Sequence, residues 1–168
     1  MLRAASLLAV ALLAGCVETQ SAGTVAAAQV GPGSSLLDPE DQIFAAMLFN
    51  DVCGDTGAKP AAAKAVLAKL PVTQHPETGT YYHQNLDLSF KLVKEGSHDV
   101  CSMVFGSRSE LSSIGLMLAA GSAAKGAPVG MDPDTGEIEA KAAKGGTLYF
   151  APINQQNGRK YYRAWITN

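Results

Sequence analysis

The stretch Leu86-Asp87-Leu88-Ser89-Phe90-Lys91-Leu92 alternates apolar and polar residues without a break. This alternation predicts a strand with one buried and one solvent-facing side. Glu95-Gly96-Ser97-His98 then predicts a turn, and residues 99–105 predict a second strand, antiparallel to the first. Residues 147–151 and 160–167 predict two more strands. We therefore expect an antiparallel sheet of about four to five strands.

Helical signals stand before and between these strands. Asp38-Pro39-Glu40-Asp41 predicts a helix start, because it combines a capping side chain, a first-turn proline and acids at the positive end of the helix dipole. Lys59-Pro60 predicts a second start, and Ser107 with Glu110 predicts a third through a capping box. The first helix is expected to carry an apolar face at helical spacing, formed by Ile43, Phe44, Met47 and Leu48.

The resulting order of elements, α-α-β-β-α-β-β, indicates an α+β fold with the helices packed on one face of the sheet. Tyr81-Tyr82-His83 extends the first strand or forms a neighbouring one. Residues 127–144 are rich in glycine, proline and acids and are expected to be irregular. No internal repeat of fixed period is apparent.

The N-terminal segment has the features of an export signal. Arg3 is the only charged residue among residues 1–15, and an apolar run follows it. The run is too short to cross roughly 30 Å of hydrocarbon, which requires about 20 apolar residues.

Leu13-Ala14-Gly15-Cys16 resembles the lipobox of bacterial lipoproteins. The resemblance implies that the thiol of Cys16 receives a diacylglyceryl group and that cleavage makes this cysteine the new N-terminus. Residue 17 is Val rather than the Asp that resembles an inner-membrane retention signal in enteric bacteria, which favours the outer membrane, facing the periplasm. An ordinary secretory signal with an incidental cysteine, or an apolar N-terminal helix of the fold, are the alternatives.

The chain then divides into three parts: a signal peptide over residues 1–15, a lipidated flexible tether over residues 16–35, and a single globular domain over residues 36–168. The tether is rich in Ala, Gly, Ser and Thr, and its mean reach is about 25 Å. Loss of Arg3 with the leader lowers the formal charge from −2 to −3. The mature protein therefore has no basic field for nucleic acid.

Cys53 and Cys101 are the two cysteines that remain beside Cys16. A pair of cysteines in the oxidising envelope is expected to form a disulfide bond, here between the end of the first helix and a strand. Two buried, reduced thiols are the alternative. Because no Cys-x-x-Cys motif is present, a thioredoxin-like role has no support.

Few patterns point to chemistry. Ser122-Ala123-Ala124-Lys125 matches Ser-x-x-Lys but falls at the end of a predicted helix, where that mechanism needs a helix start. Residues 132–137 resemble a calcium loop with the glycine misplaced. The histidines, His75, His83 and His98, lack metal-ligand spacing. No catalytic residue, metal or cofactor is predicted.

The aromatic residues of the last strand are more suggestive. Tyr161, Arg163 and Trp165 alternate along it, and on a solvent-facing side they would offer stacking and hydrogen bonding to a partner. The favoured interpretation is nevertheless that Trp165, the only tryptophan of a small domain, and one row of tyrosines belong to the core. We expect a membrane-anchored binding or assembly module that contacts an envelope protein or the cell wall. A small envelope hydrolase with a non-contiguous active site is the alternative function.

Overall fold

A computed structural model describes residues 31–33, 35–108, 111–156 and 159–168. The expected leader, Cys16 and most of the expected tether lie outside the described residues. Within the described part of the chain, no helix is long and apolar enough to span a membrane.

The helices are short, and the first two begin where their sequence signals stand. The predicted capping box of the third helix is wrong, because Ser107 ends a strand over His98–Ser107 and its hydroxyl donates to the carbonyl of Leu37 at 3.1 Å. Helix α1 (Pro39–Phe49) starts at the predicted Asp38-Pro39, and the Asp41 carboxylate accepts the backbone N–H of Asp38 at 3.3 Å. It continues into a single π-helical turn, Asn50–Gly54. Helices α2 (Pro60–Leu67) and α3 (Leu111–Ser122) follow.

Eight strands form one sheet in which every neighbouring pair is antiparallel. Their spatial order is β1-β2-β3-β4-β8-β7-β6-β5. The strands are β1 (Val72–Gln74), β2 (Tyr81–His83), β3 (Leu88–Glu95), β4 (His98–Ser107), β5 (Val129–Met131), β6 (Ile138–Lys141), β7 (Thr147–Gln156) and β8 (Arg159–Thr167).

The predicted α+β fold, a sheet of four to five strands with helices packed on one face, is therefore wrong. The described chain is a single eight-stranded antiparallel sheet with three short helices, and its order is α-α-β-β-β-β-α-β-β-β-β. The sequence pattern predicts none of β1, β5 and β6, and it leaves open whether β2 is a separate strand, because each has only three or four residues. Such a segment is too short for alternation to be recognised. Strands β5 and β6 also lie inside the segment that was expected to be irregular.

The sheet contains a structural repeat, although the spacing between its equivalent positions is not constant, as expected from the lack of a fixed sequence period. Each half consists of one helix followed by four consecutive, neighbouring strands: α2 with β1–β4, and α3 with β5–β8. A row of Cα partners that crosses all eight strands passes through equivalent positions of both halves. This row reads Gln74, Tyr81, Phe90, Met103, then Ala164, Phe150, Ile138, Met131.

The two outer hairpins of the sheet confirm this equivalence in sequence and geometry. Residues 71–79 and 128–136 share the pattern Pro-Val-x-x-x-Pro-acid-Thr-Gly. In the first turn, Nδ1 of His75 accepts the backbone N–H groups of residues 77 and 78; in the second, Oδ1 of Asp132 accepts those of residues 134 and 135. Gly79 and Gly136 close the turns with φ of 68° and 70°, a conformation that favours glycine.

One side of the sheet faces the hydrophobic core. Phe90, Met103, Phe105 and Phe150 are at most 1% exposed there, and they belong to the same buried cluster as residues of all three helices. Cys53 in the π turn and Cys101 in β4 are fully buried and form the predicted disulfide bond. The bond joins the segment after α1 to the centre of the sheet.

Candidate functional site

The side of the sheet opposite the core, the outer face, carries the residues that were expected to contact a partner. Tyr161, Arg163 and Trp165 alternate along β8 on this face and are half-buried. Between them, Tyr162, Ala164 and Ile166 point to the core and are almost fully buried. The three side chains therefore form one row on the outer face, and the interpretation of Trp165 as a core residue is wrong.

A residue of the neighbouring strand β7 joins two of these side chains in a stacked group on the outer face. Tyr149 on β7 is the Cα partner of Trp165, and their rings stack with centroids 5.1 Å apart and planes inclined by 18°. The guanidinium of Arg163 lies over the Trp165 ring, with Cζ 4.8 Å from the centroid. Cation–π contact of this kind holds an arginine in a defined position. We call Tyr149, Arg163 and Trp165 the ridge.

Beside the ridge, the outer face forms a depression of about 500 Å³, which we call the hollow. Ser89, Ser102 and Val104 line it where the first repeat contributes small side chains. Lys91 and Arg163 bring positive charge to it and Glu95 brings one negative charge, while Ile153, 42% exposed, adds an apolar edge. Its volume is in the range of ligand sites.

On the other side of the ridge lies a second depression of about 630 Å³. Tyr149 and Trp165 line it together with three carboxylate residues, Asp132, Glu137 and Glu139. The ridge thus separates a region with three carboxylates from one in which Lys91 and Arg163 outnumber Glu95. A surface with both signs of charge around an aromatic centre suits a partner with complementary charges on either side.

Tyr161 is tied to a buried acid at the end of the same row. Its Oη donates a hydrogen bond to Oδ2 of Asp87 at 2.8 Å, and Nη1 of Arg159 lies 3.4 Å from the same oxygen. Burial, and next the hydrogen bond to Asp87, raise the pKa of the Tyr161 phenol. Because its hydroxyl is engaged in this way, Tyr161 is less available to a partner than the residues of the ridge.

His83 is buried, and its ring is already engaged. Its Nδ1 accepts the backbone N–H groups of Asn85 at 3.3 Å and of Leu86 at 3.1 Å, which places the proton of the neutral ring on Nε2. Among the described residues, Nε2 has no hydrogen-bond partner. Burial lowers the pKa of His83. These contacts hold a neutral histidine that braces the chain before β3.

The remaining chemical patterns have structural roles. Ser122 is fully buried and its hydroxyl lies 3.4 Å from Oδ1 of Asn50, whereas Lys125 is exposed, so the Ser-x-x-Lys pattern presents no accessible nucleophile. The calcium-like residues 132–137 form a hairpin turn in which backbone N–H groups, Thr135 first, lower the pKa of Asp132. Within the described ranges, no group of three or more potential metal ligands occurs.

No family model, curated protein or solved structure matches the chain. The site is therefore interpreted from its own geometry.

The sequence placed Tyr149 among the aromatic residues of the predicted strands without assigning it to the face, and of the residues that line the hollow it indicated Arg163 alone. Tyr149 falls in a predicted strand, but only the pairing of β7 with β8 shows that it faces Trp165. The alternation of their strand identifies Ser89 and Lys91 as polar positions. It does not show which residues of other strands lie beside them. The shared Pro-Val-x-x-x-Pro-acid-Thr-Gly pattern was the one sequence signal from which the symmetric pairing was predictable.

Proposed function

We propose that this protein is a lipoprotein of the bacterial cell envelope, anchored through acylated Cys16, whose domain is a non-enzymatic binding module. The outer membrane, with the domain on its periplasmic side, is the proposed location. The outer-face ridge and hollow are the proposed binding surface, and a protein of the envelope is the proposed partner. The lipobox-like segment supports the anchor, and the asymmetry between the two repeats supports the binding surface.

The observation that carries this proposal is that the fold does not require the ridge. By the equivalence of the repeats, Tyr149, Trp165 and Arg163 correspond to Ser89, Val104 and Ser102. The same strands pair in the same register with serine and valine at those positions. Stacked aromatic and arginine side chains in the second repeat alone therefore indicate a role other than holding the sheet together.

The chemistry of the ridge favours a protein partner over a carbohydrate. A sugar ring stacks on a free aromatic face, but both Tyr149 and Arg163 already stack on Trp165. Trp, Tyr and Arg are the residues that contribute most binding free energy in protein interfaces, where they are surrounded by contacts that exclude water. The adjacent hollow provides room for a side chain of the partner.

A crosslinking experiment in the producing bacterium tests the binding surface. The ridge variant Tyr149→Ser/Arg163→Ser/Trp165→Val replaces each side chain by its counterpart in the first repeat, so the fold is expected to persist. Crosslinked partners should be lost from this variant and retained by Val129→Ser, which removes an exposed apolar residue on the side of β5 away from the outer face. Equal crosslinking of the folded ridge variant and the wild-type protein would refute the proposed surface.

The anchor is tested separately by mass spectrometry of the protein purified from its host. The N-terminal peptide should begin at Cys16 and carry fatty acids, and Cys16→Ser should release the protein from the membrane fraction. An N-terminus at another residue, or an unmodified cysteine, would refute the anchor without bearing on the ridge.

A further inference from the structure

Helix α1 leaves large apolar side chains in solvent. Ile43, Phe44 and Met47 are 59%, 43% and 58% exposed, and their spacing places them on one side of the helix. Leu48, which borders Phe44 on the helix, and Phe49, on the other side, are buried in the core, so the predicted apolar face is divided between core and solvent. A surface helix normally carries polar residues towards solvent, and one that is apolar all round is normally covered. We call Ile43, Phe44 and Met47 the α1 stripe.

The stripe lies where the chain from Cys16 enters the domain. The backbone N–H of Gly33 donates to the carbonyl of His83 at 3.1 Å. The ring of Phe44 meets the His83 ring edge-on, with centroids 6.5 Å apart. One residue, His83, therefore contacts both the end of the expected tether and the stripe, so the membrane anchor and the stripe are attached to the same corner of the molecule.

The size of the stripe argues against a second copy of the chain as its cover. A stable protein interface buries about 800 Å² on each partner, from roughly 20–30 residues. Three side chains fall far short of that. Docking on a lipid surface requires less contact area. The anchor would hold the domain within about 25 Å of the headgroups, so that even a weak contact becomes effectively intramolecular.

From these observations we propose that the α1 stripe docks on the lipid surface that holds the acylated Cys16, with Ile43, Phe44 and Met47 inserted among the headgroups. This proposal rests on the proposed anchor. Asp51 is exposed one turn beyond Met47, and Asp41 lies half-buried earlier in the helix. Their charges oppose anionic headgroups, so the stripe fits zwitterionic lipids such as phosphatidylethanolamine.

Docking through α1 also defines what the outer face can reach. The buried side of α1 belongs to the core, and the outer face lies on the far side of the sheet from that core. With the stripe on the membrane, the ridge and hollow therefore point away from the lipid and towards soluble or opposing-membrane partners.

The test uses an environment-sensitive nitrobenzoxadiazole label on Met47→Cys in a chain that also carries Cys16→Ser. An N-terminal hexahistidine tag in place of residues 1–15 holds this chain on phosphatidylcholine–phosphatidylethanolamine vesicles that contain a nickel-chelating lipid, so the result does not depend on acylation in the host. Met131, also an exposed methionine at 51%, carries the label in the control protein. The label at position 47 should shift its emission to shorter wavelength and be quenched by doxyl-labelled lipid, whereas the label at position 131 should show neither change.

A second variant measures the contribution of the stripe itself. Ile43→Gln/Phe44→Gln, with the label kept at position 47, should lower the ratio of docked to undocked protein at least about tenfold, which corresponds to about 1.4 kcal/mol. An unshifted label at position 47 on tethered vesicles would overturn lipid docking. Concentration-dependent self-association in solution that the same substitutions abolish would instead assign the stripe to a second copy. Neither result would affect the ridge experiment.

Discussion

Met103 and Ala164 are Cα partners across the β4–β8 pair, and they occupy equivalent positions in the two repeats. An approximate two-fold axis therefore passes between them, perpendicular to the sheet. It exchanges the neighbouring pairs Ser102–Trp165 and Val104–Arg163. The two halves of the outer face can therefore be compared directly. Their backbones are equivalent, but one half carries small side chains where the other carries the ridge.

Replacement of buried Asp87 should reveal how Tyr161 is held. In Asp87→Asn, the pKa of Tyr161 should fall towards its ordinary value because the negative charge beside the phenol is removed, as an ultraviolet phenolate titration would show. In Tyr161→Phe, loss of the 2.8 Å hydrogen bond to the carboxylate should lower the free energy of unfolding by about 1.5–3 kcal/mol. Tyr82→Phe is the control, and an equal loss there would contradict the role given to Asp87.

His83 should make stability depend on pH. Burial lowers its pKa below the ordinary value of about 6.5, which the unfolded chain retains. Below about pH 6.5 the unfolded state binds a proton that the folded state does not. The free energy of unfolding should therefore decrease as the pH is lowered, and it should level off below the pKa of His83 in the folded state. Urea unfolding across this range measures the slope.

The variant His83→Asn isolates that effect. The Oδ1 of asparagine takes the place of Nδ1 as acceptor for the N–H groups of Asn85 and Leu86 but does not titrate in this range. The slope should therefore shrink in His83→Asn and persist in His98→Asn, which changes an exposed histidine. A slope that survives in His83→Asn would assign it to another group.

Two glycines of α3 should respond to alanine with opposite signs. A Cβ at Gly115 would lie 2.5 Å from Cδ1 of Ile138 and 2.8 Å from Cδ1 of Phe150, so Gly115→Ala should cost about 1–3 kcal/mol by overpacking. A Cβ at Gly121 would meet none of the described residues within 4 Å. Gly121→Ala should therefore stabilise the protein by up to about 1 kcal/mol through helix propensity. Thermal unfolding of both variants is the measurement, and a stabilised Gly115→Ala protein would contradict the described packing of α3 on β6 and β7.

The disulfide bond should contribute substantially to stability. Its cysteines are 48 residues apart, and the loop-closure estimate for such a loop is about 4 kcal/mol. Cys53→Ala/Cys101→Ala should lower the free energy of unfolding by about that amount in urea titrations. Reductant should destabilise the wild-type protein alone. A stability that is unchanged in the double variant would show that the loop is already constrained by its other contacts.

The sequence determined the local features of this protein. Two of these features are the Asp38-Pro39 start of α1 and the strict alternation of β3, which were predictable because caps and periodicity act over short distances. The pairing of Cys53 with Cys101 was predictable because only two cysteines remain beside Cys16. The export signal and lipobox at Cys16 also come from sequence alone, and they remain predictions for the anchor experiment.

Only the tertiary structure decided the number of strands, the repeat and the site. Strands of three residues such as β1 and β5 are stabilised by pairing with their neighbours rather than by their own periodicity, so the eight-stranded sheet was not visible in the pattern. The ridge exists because β7 and β8 pair in the register that places Tyr149 opposite Trp165. A register joins residues distant in the chain, and it depends on the summed burial of the whole inner face, which no local stretch of sequence contains.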